Sequence, residues 1–261
     1  MSETFLEEIL TLTREKVDHQ KRGTDFVYLR EVAAACMKSR GLRRLSESLR
    51  QPKINIIAEI KRASPSKGII SDEMDVADTA RMYANGRAAA ISVLTEETFF
   101  KGSLDDLSTA RAATDLPILR KDFTIDAFQI YEAAAAGADA VLLITAALSS
   151  ETLTEFQSLA HDLGLDALVE VHTFEELETA RDIGADLIGV NNRDLHSFDV
   201  SLDVSRELIK RRPPNALMIA ESGISSRSEI DELRTLGFNG FLVGESLMRA
   251  ASMRKLTELT V

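Results

Sequence analysis

Residues 134–144 read AAAGADAVLLI: the end of a helix, a glycine that reverses the chain, then a run of small and branched apolar residues. The glycine suits the left-handed position that ends a helix, where a side chain would be strained. The run after it is continuously apolar rather than alternating, as expected of a parallel strand covered on both faces. The same pattern recurs at 83–93 (YANGRAAAISV), 162–171 (DLGLDALVEV), 182–190 (DIGADLIGV) and 235–243 (TLGFNGFLV). Its glycines, Gly86, Gly137, Gly164, Gly184 and Gly237, imply a repeat of about 25 residues, one strand plus one helix. Ser103-x-x-Asp106, Thr173-x-x-Glu176 and Ser226-x-x-Glu229 resemble capping boxes at helix starts.

Eight strands are predicted, at 54–60, 88–93, 117–120, 139–144, 166–170, 186–190, 216–220 and 240–243. Eight strands alternating with helices fit a closed parallel barrel, so the expected fold is α/β, a (β/α)8 TIM barrel. Residues 1–50 stand outside the alternation. Phe5, Ile9 and Leu12, then Tyr28, Leu29, Val32 and Cys36, recur at helical spacing. The expectation is one domain over 1–261, with 1–50 a helical extension of two or three helices and 51–261 the barrel.

The composition is that of an ordinary globular chain, 44% hydrophobic and 28% charged. No apolar stretch approaches the roughly 20 residues of a membrane span. The acidic start MSETFLEEIL lacks the pattern of a secretory signal. Cys36 is the only cysteine, which fits a reducing cytoplasm and a buried structural thiol. A formal charge of −11 argues against nucleic acid or anionic membranes as partners but not against an anionic small molecule. For that, the local pairs Lys61-Arg62 and Arg120-Lys121 matter more. The four histidines and the cysteine lack metal-ligand spacing, and neither G-x-G-x-x-G nor the Walker A pattern occurs, so no metal or cofactor is expected.

Active sites of this fold lie where the strands end. Polar residues gather there: Glu59 and Lys61 on one side of the first strand, Arg120-Lys121-Asp122 after the third, Glu170 after the fifth, Asn191-Asn192-Arg193 after the sixth and Glu221-Ser222-Gly223 after the seventh. Any one could merely mark a strand reaching solvent; five at equivalent ends point to a site. Carboxylates and ammonium groups in a partly dry mouth shift one another's proton affinity and can hold an acid and a base at once. Proton-transfer chemistry on a carbon skeleton is the class this suggests. Gly223 and Gly244-Glu245-Ser246 follow the last two strands, where this fold often binds phosphate, although both glycines could simply shape tight turns.

The stretch IAEIKRASPSKG (57–68) resembles the signature of the indole-3-glycerol phosphate synthase family, and the resemblance continues through SVLTE (92–96), FFKGS (99–103), LRKDF (119–123), LVEVH (168–172), GVNNRDL (189–195), AESGI (220–224) and LVGESLM (242–248). It implies a cofactor-free lyase that turns 1-(2-carboxyphenylamino)-1-deoxyribulose 5-phosphate into indole-3-glycerol phosphate, carbon dioxide and water in tryptophan biosynthesis. It implies Lys121 as general acid, Lys61 as partner of the substrate carboxylate and donor to the departing hydroxide, Glu170 and Glu59 as candidate bases, and Asn191 orienting the carboxylate side. Ser64, Gly223, Gly244 and the amides of Glu245 and Ser246 would hold the phosphate, with Glu221 and Ser222 close by. Phe100, Phe123 and Leu195 would sandwich the aromatic ring, and Arg193 would support the catalytic groups.

Glu245 stands where some members carry a small hydroxyl residue; its carboxylate would repel phosphate, so its side chain is expected to point away. Arg87, after Gly86, is larger than that turn calls for. The segment 62–75 is expected to act as a lid. The rival enzyme reading is a phosphoribosyl isomerase or cyclase barrel, which would share the phosphate site but rely on acid pairs or a Cys/Asp pair. A catalytically silent barrel that binds sugar phosphates would have lost at least one charged mouth residue, and none is missing. The partner is a sugar phosphate, with a monomer as the default assembly.

Overall fold

A computed structural model describes residues 4–41, 44–71, 73–250 and 252–260. Three helices come first, α1 (Phe5–Gly23), α2 (Phe26–Arg40) and α3 (Leu45–Leu49). Strand β1 (Ile56–Ile60) follows, then a two-stranded hairpin of β2 (Ala63–Ser64) and β3 (Gly68–Ile69). From there helices and strands alternate: α4 (Val76–Asn85), β4 (Ala90–Leu94), α5 (Leu104–Ala113), β5 (Ile118–Lys121), α6 (Ala127–Ala136), β6 (Ala140–Ile144), α7 (Ser150–Asp162) and β7 (Asp166–Val171). The chain continues with α8 (Phe174–Asp182), β8 (Leu187–Asn191), α9 (Asp203–Leu208), β9 (Leu217–Glu221), α10 (Arg227–Leu236), β10 (Gly240–Val243), α11 (Glu245–Ala250) and α12 (Met253–Thr260). Strands β1 and β4 to β10 pair in parallel in chain order, and β1 closes on both β4 and β10. The fold is a (β/α)8 TIM barrel with N-terminal helices, as the repeat of glycine and apolar run predicts.

Strand alternation divides the core in two. Ile56, Ala58 and Ile60 face the surrounding helices, as do Val141, Leu143, Met218 and Ala220. Ile57, Leu142, Leu168, Leu187, Ile219 and Leu242 fill the barrel interior. Leu45 and Leu49 of α3 join that interior cluster. The Ser46 amide bonds Asp166 at the start of β7, so α3 plugs the end of the barrel opposite the mouth. At the mouth, Phe5 of α1 packs edge-on against Phe99 and Phe198.

Several local expectations need correction. Gly137, Gly164, Gly184 and Gly237 are left-handed, but Gly86 has φ −76 and Arg87 takes the left-handed position with φ 65. Gly86 is there for space: a Cβ would lie 2.7 Å from Leu256 of α12. Of the three capping boxes only Ser226/Glu229 is reciprocal. Asp106 instead meets Arg62 at 2.8 Å, and Glu176 reaches the His172 amide. Cys36 is half-buried rather than buried, and Tyr28 is exposed, so α2 presents little of the apolar stripe expected of it. No described helix is long and apolar enough to cross a membrane.

Candidate active site

Inward-pointing residues at the ends of the strands carry the chemistry. The alternation that turns Ile57 inward also turns in Glu59 and, just past β1, Lys61; it does the same for Lys121 on β5, Glu170 on β7, Asn191 on β8 and Glu221 on β9. All of them line one cavity of about 600 Å³. Ser64, Phe100, Phe123, Arg193, Leu195, Ser222, Gly223, Gly244, Glu245 and Ser246 line it too, so every predicted site residue reaches the same space.

The two basic pairs read from the sequence are split by the same alternation. Arg120 is fully buried on the outer side of β5, where it bonds Asp122 at 2.9 Å and meets Glu132 at 3.3 Å. Arg62 is paired with Asp106. Only Lys61 and Lys121 of the four line the cavity. Asn192 likewise turns outward, where it ties the loop after β8 to that after β9 through the carbonyls of Glu221 and Ser222.

Two acid–base couples face each other across the mouth. Lys61 Nζ lies 2.6 Å from Glu59 Oε1. Lys121 Nζ lies 2.7 Å from Glu170 Oε2 and 3.5 Å from Glu221. Asn191 Nδ2 donates to Glu170 Oε1 at 3.1 Å, and Asn191 Oδ1 accepts from the Arg193 amide. Burial favours the neutral amine of Lys121, but Glu170 and Glu221 outweigh it and hold the ammonium above its ordinary range. Burial would likewise push Glu170 up; Lys121, His172 and the hydrogen bonds from Lys121 and Asn191 prevail and bring it down to about 2.

Glu221 goes the other way. Neither carboxyl oxygen has a hydrogen-bond partner among the described residues. Burial, opposed by Lys121 and reinforced by the Glu170 charge, raises it to about 8. Its place depends on Gly189, whose Cβ would fall 2.0 Å from Glu221 Oε1. Gly244 gives Glu59 the same room, since a Cβ there would lie 2.1 Å from Glu59 Oε1. With Glu221 protonated, two buried carboxylates meet two ammonium groups.

This has a consequence for stability. An unfolded Glu221 releases its proton near 4.5 and the folded one near 8, so between those values the native state binds more protons. Stability from this group is therefore lost as pH rises through that window. Glu221→Gln does not titrate, so its stability relative to wild type is expected to climb across the window and level off above it. Urea unfolding at several pH values checks this; a constant difference would show that Glu221 is ionised in the folded protein.

The loops around the mouth are tied down. The Glu96 carboxylate accepts the amides of Thr98, Phe99 and Phe100, at 2.7, 2.7 and 3.0 Å, and so sets the Phe100 ring. Ser222 and Gly223 are both left-handed, φ 64 and 77. Positive φ in a non-glycine residue beside a site is a constraint met at ligand-binding loops. Glu245 bonds Arg249 one turn on at 3.0 Å and so turns aside from the first-turn amides of α11, as expected. The segment predicted as a lid begins as the β2–β3 hairpin, and Ser66 on it meets Arg193 at 3.3 Å across the mouth.

Sequence reading missed Phe5, Lys67, Phe198 and Arg249, all of which line the cavity. Phe5 and Phe198 meet there from positions 193 residues apart in the chain (198 − 5), and nothing local to either residue signals it. Arg249 could have been found from its four-residue spacing to Glu245 on a helix.

Residues 6–259 match the family described as indole-3-glycerol phosphate synthase. The chain is 46% identical to the indole-3-glycerol phosphate synthase of Carboxydothermus hydrogenoformans, over 98% of both chains. It is 47% identical to that of Syntrophobacter fumaroxidans, over 94% of this chain and 93% of the relative, and 51% identical to that of Desulfosudis oleivorans, over 80% and 81%. Among solved structures it is similar to an N-acetylmannosamine-6-phosphate 2-epimerase from Clostridium perfringens, with TM-score 0.61, 18% identity, and 79% of this chain and 93% of that one covered. It is also similar to a mutant tryptophan synthase alpha-subunit from Pyrococcus furiosus, with TM-score 0.60, 16% identity, and 79% and 98% covered. At those identities the structural likeness speaks to the barrel alone.

Proposed function

The chain belongs to the indole-3-glycerol phosphate synthase family, and on that premise we propose how its residues divide the work of the reaction. The enzyme is a carboxy-lyase of tryptophan biosynthesis. It closes the ring of 1-(2-carboxyphenylamino)-1-deoxyribulose 5-phosphate, with loss of carbon dioxide and water. The observation that carries the division is the pair of couples Lys121–Glu170 and Lys61–Glu59 facing one cavity.

Lys121 is the general acid. The ring carbon bearing the carboxylate attacks the ketone carbon, and the carbonyl oxygen takes the Lys121 proton as it becomes an alkoxide, a far stronger base than the amine left behind. Carbon dioxide then leaves with its bonding pair returned to the ring, which restores aromaticity. Dehydration needs an acid for the departing hydroxide and a base for the proton on the neighbouring carbon. Lys61 supplies the first.

Glu170 supplies the second. Once Lys121 is neutral, the charge that held Glu170 down is gone, so the first proton transfer switches on the base for the later one. Asn191 fixes the Glu170 carboxylate, and Arg193 links that side of the site to the hairpin. Phe100, Phe123 and Leu195 hold the aromatic ring. Ser64, Ser222, Gly223 and the amides of Gly244, Glu245 and Ser246 hold the phosphate, and Glu221, neutral beside Lys121, keeps the site's charge balanced.

Before it donates to hydroxide, Lys61 holds the substrate carboxylate. Lys61→Met is therefore expected to weaken an unreactive reduced form of the substrate by about tenfold or more, the worth of one charge-assisted contact. It should leave the same analogue without its carboxylate unaffected. Equal weakening of both in a binding titration would move the carboxylate contact elsewhere. The N-terminal helices and the barrel act as one domain in this reading, since Phe5 of α1 lines the cavity. A cytoplasmic place of action fits the single unpaired cysteine.

A further inference from the structure

Behind Glu170, away from Lys121, lies a group that the assignment above does not use. His172 follows Glu170 by two residues, just past the end of β7, and its ring lies beside Glu170. Its Nε2 is 3.4 Å from Glu170 Oε1 and its Nδ1 is 3.1 Å from Glu176 Oε2. Nε2 is buried and has no hydrogen-bond partner among the described residues, so the Glu170 carboxylate is the group that answers it. Glu176, in the first turn of α8, is held by the His172 amide at 2.7 Å and the Thr145 hydroxyl at 2.8 Å. That hydroxyl also bonds the Glu170 carbonyl at 2.7 Å.

We propose that His172 is a positioning residue, an imidazolium clamped by Glu176 that holds Glu170 Oε1 from behind and leaves Oε2 to Lys121 and the substrate. The inference rests on Glu170 being the base. The geometry of the ring argues for its charge. An ionised carboxylate only accepts, so a ring with a carboxylate at each nitrogen is best matched when both nitrogens carry a proton.

The charged groups around it agree. Glu170 precedes it by two residues, Glu176 lies on α8 and Glu221 on β9, and Lys121 of β5, on the other side of Glu170, is already paired with that carboxylate. Burial favours the neutral ring, but the bond to Glu176 and the charges of Glu170 and Glu176 outweigh it, and the proton is held more tightly than usual. Glu170 therefore lies between two cations, with Asn191 sharing Oε1. The effect is to hold the carboxylate in one orientation and to limit the rise in its proton affinity during the interval when Lys121 has given up its proton.

The test compares His172→Gln, Glu176→Gln and Glu170→Gln with wild type. His172→Gln keeps a donor but loses the charge. It is expected to lower kcat by about tenfold, a fraction of what a full acid–base role contributes, with KM within about twofold. The acid limb of kcat/KM should move to higher pH, because Glu170 then binds its proton more tightly. Glu176→Gln should move the same limb in the same direction. In wild-type protein the His172 imidazole, assigned by NMR through its loss in His172→Gln, should remain protonated at neutral pH. A ring that is neutral at that pH, or a His172→Gln enzyme with unchanged kcat and pH profile, would overturn the proposal. Activity retained in Glu170→Gln would instead overturn the choice of base, while the imidazole titration still decides whether His172 carries the charge. A purely packing role predicts lower stability with no movement of the acid limb.

Discussion

Replacing Lys121 with methionine is expected to lower kcat by about 10³- to 10⁴-fold, near the upper range for removal of a general acid. Methionine matches the length of the lysine stem, so the loss comes from the missing proton rather than from a cavity. The measurement is direct because the protein contains no tryptophan. Growth of indole fluorescence on mixing with substrate therefore reports product over a dark background. The variant also changes the rest of the mouth. Glu170 and Glu221 are both 1% exposed and would face each other without the ammonium between them. Glu221 is already neutral there, and an ionised Glu170 left buried without its ammonium would cost about 3–5 kcal/mol, so Glu170 is expected to rise and take up a proton instead.

The sign of that change fixes the conditions of the assay. A folded-state value raised above the unfolded 4.5 means that the variant's native state binds the extra proton. Its stability is then greatest below that point and falls as pH rises through the new, raised value. Activity should therefore be compared where unfolding curves show the variant intact. A residual kcat within about tenfold of wild type would place the acid elsewhere, with Lys61 the next candidate.

Much of this arrangement is legible in the sequence. Strand residues alternate faces, and the run IAEIK therefore commits Glu59 and Lys61 to one side; once the repeat gives a barrel, that side is the mouth. Alternation also separates what adjacency in sequence joins. Arg120-Lys121 and Lys61-Arg62 read as basic pairs, but neighbours on an extended chain point apart, and Arg120 and Arg62 pair with Asp122 and Asp106. Gly86 shows a second limit. A glycine at a helix end suggests left-handed backbone, but here the reason is Leu256, some 170 residues away in the chain, which needs the space a side chain would fill. His172 shows a third. Its sequence neighbours mark it as the end of a strand, and only the packing of α8 against β7 adds Glu176 at one ring nitrogen to Glu170 at the other.

Glu170→Gln is expected to cost about 10²- to 10⁴-fold in kcat, and the form of the loss carries more information than its size. Glutamine keeps one oxygen, which can accept from Lys121 as Oε2 does, while the contact from Asn191 to Oε1 is lost, so Lys121 should stay in place and KM should change little. What it cannot do is take the proton from the carbon next to the departing hydroxide. Ring closure and decarboxylation come before that step and depend on Lys121, which is still present. The variant should therefore release close to one carbon dioxide per site in a rapid first turnover and form indole only slowly. Lys121→Met should be slow in both, because it is blocked at the first bond. Following carbon dioxide and indole together in a single turnover separates the two defects. It also decides between the two carboxylates: if Glu59→Gln gives fast carbon dioxide with slow indole while Glu170→Gln loses both, Glu59 is the dehydration base and Glu170 serves chiefly to hold Lys121 in its charged form. Glu59 lies 2.6 Å from Lys61, so that outcome would place the acid and base of dehydration on one strand, with Lys121 and Glu170 confined to ring closure.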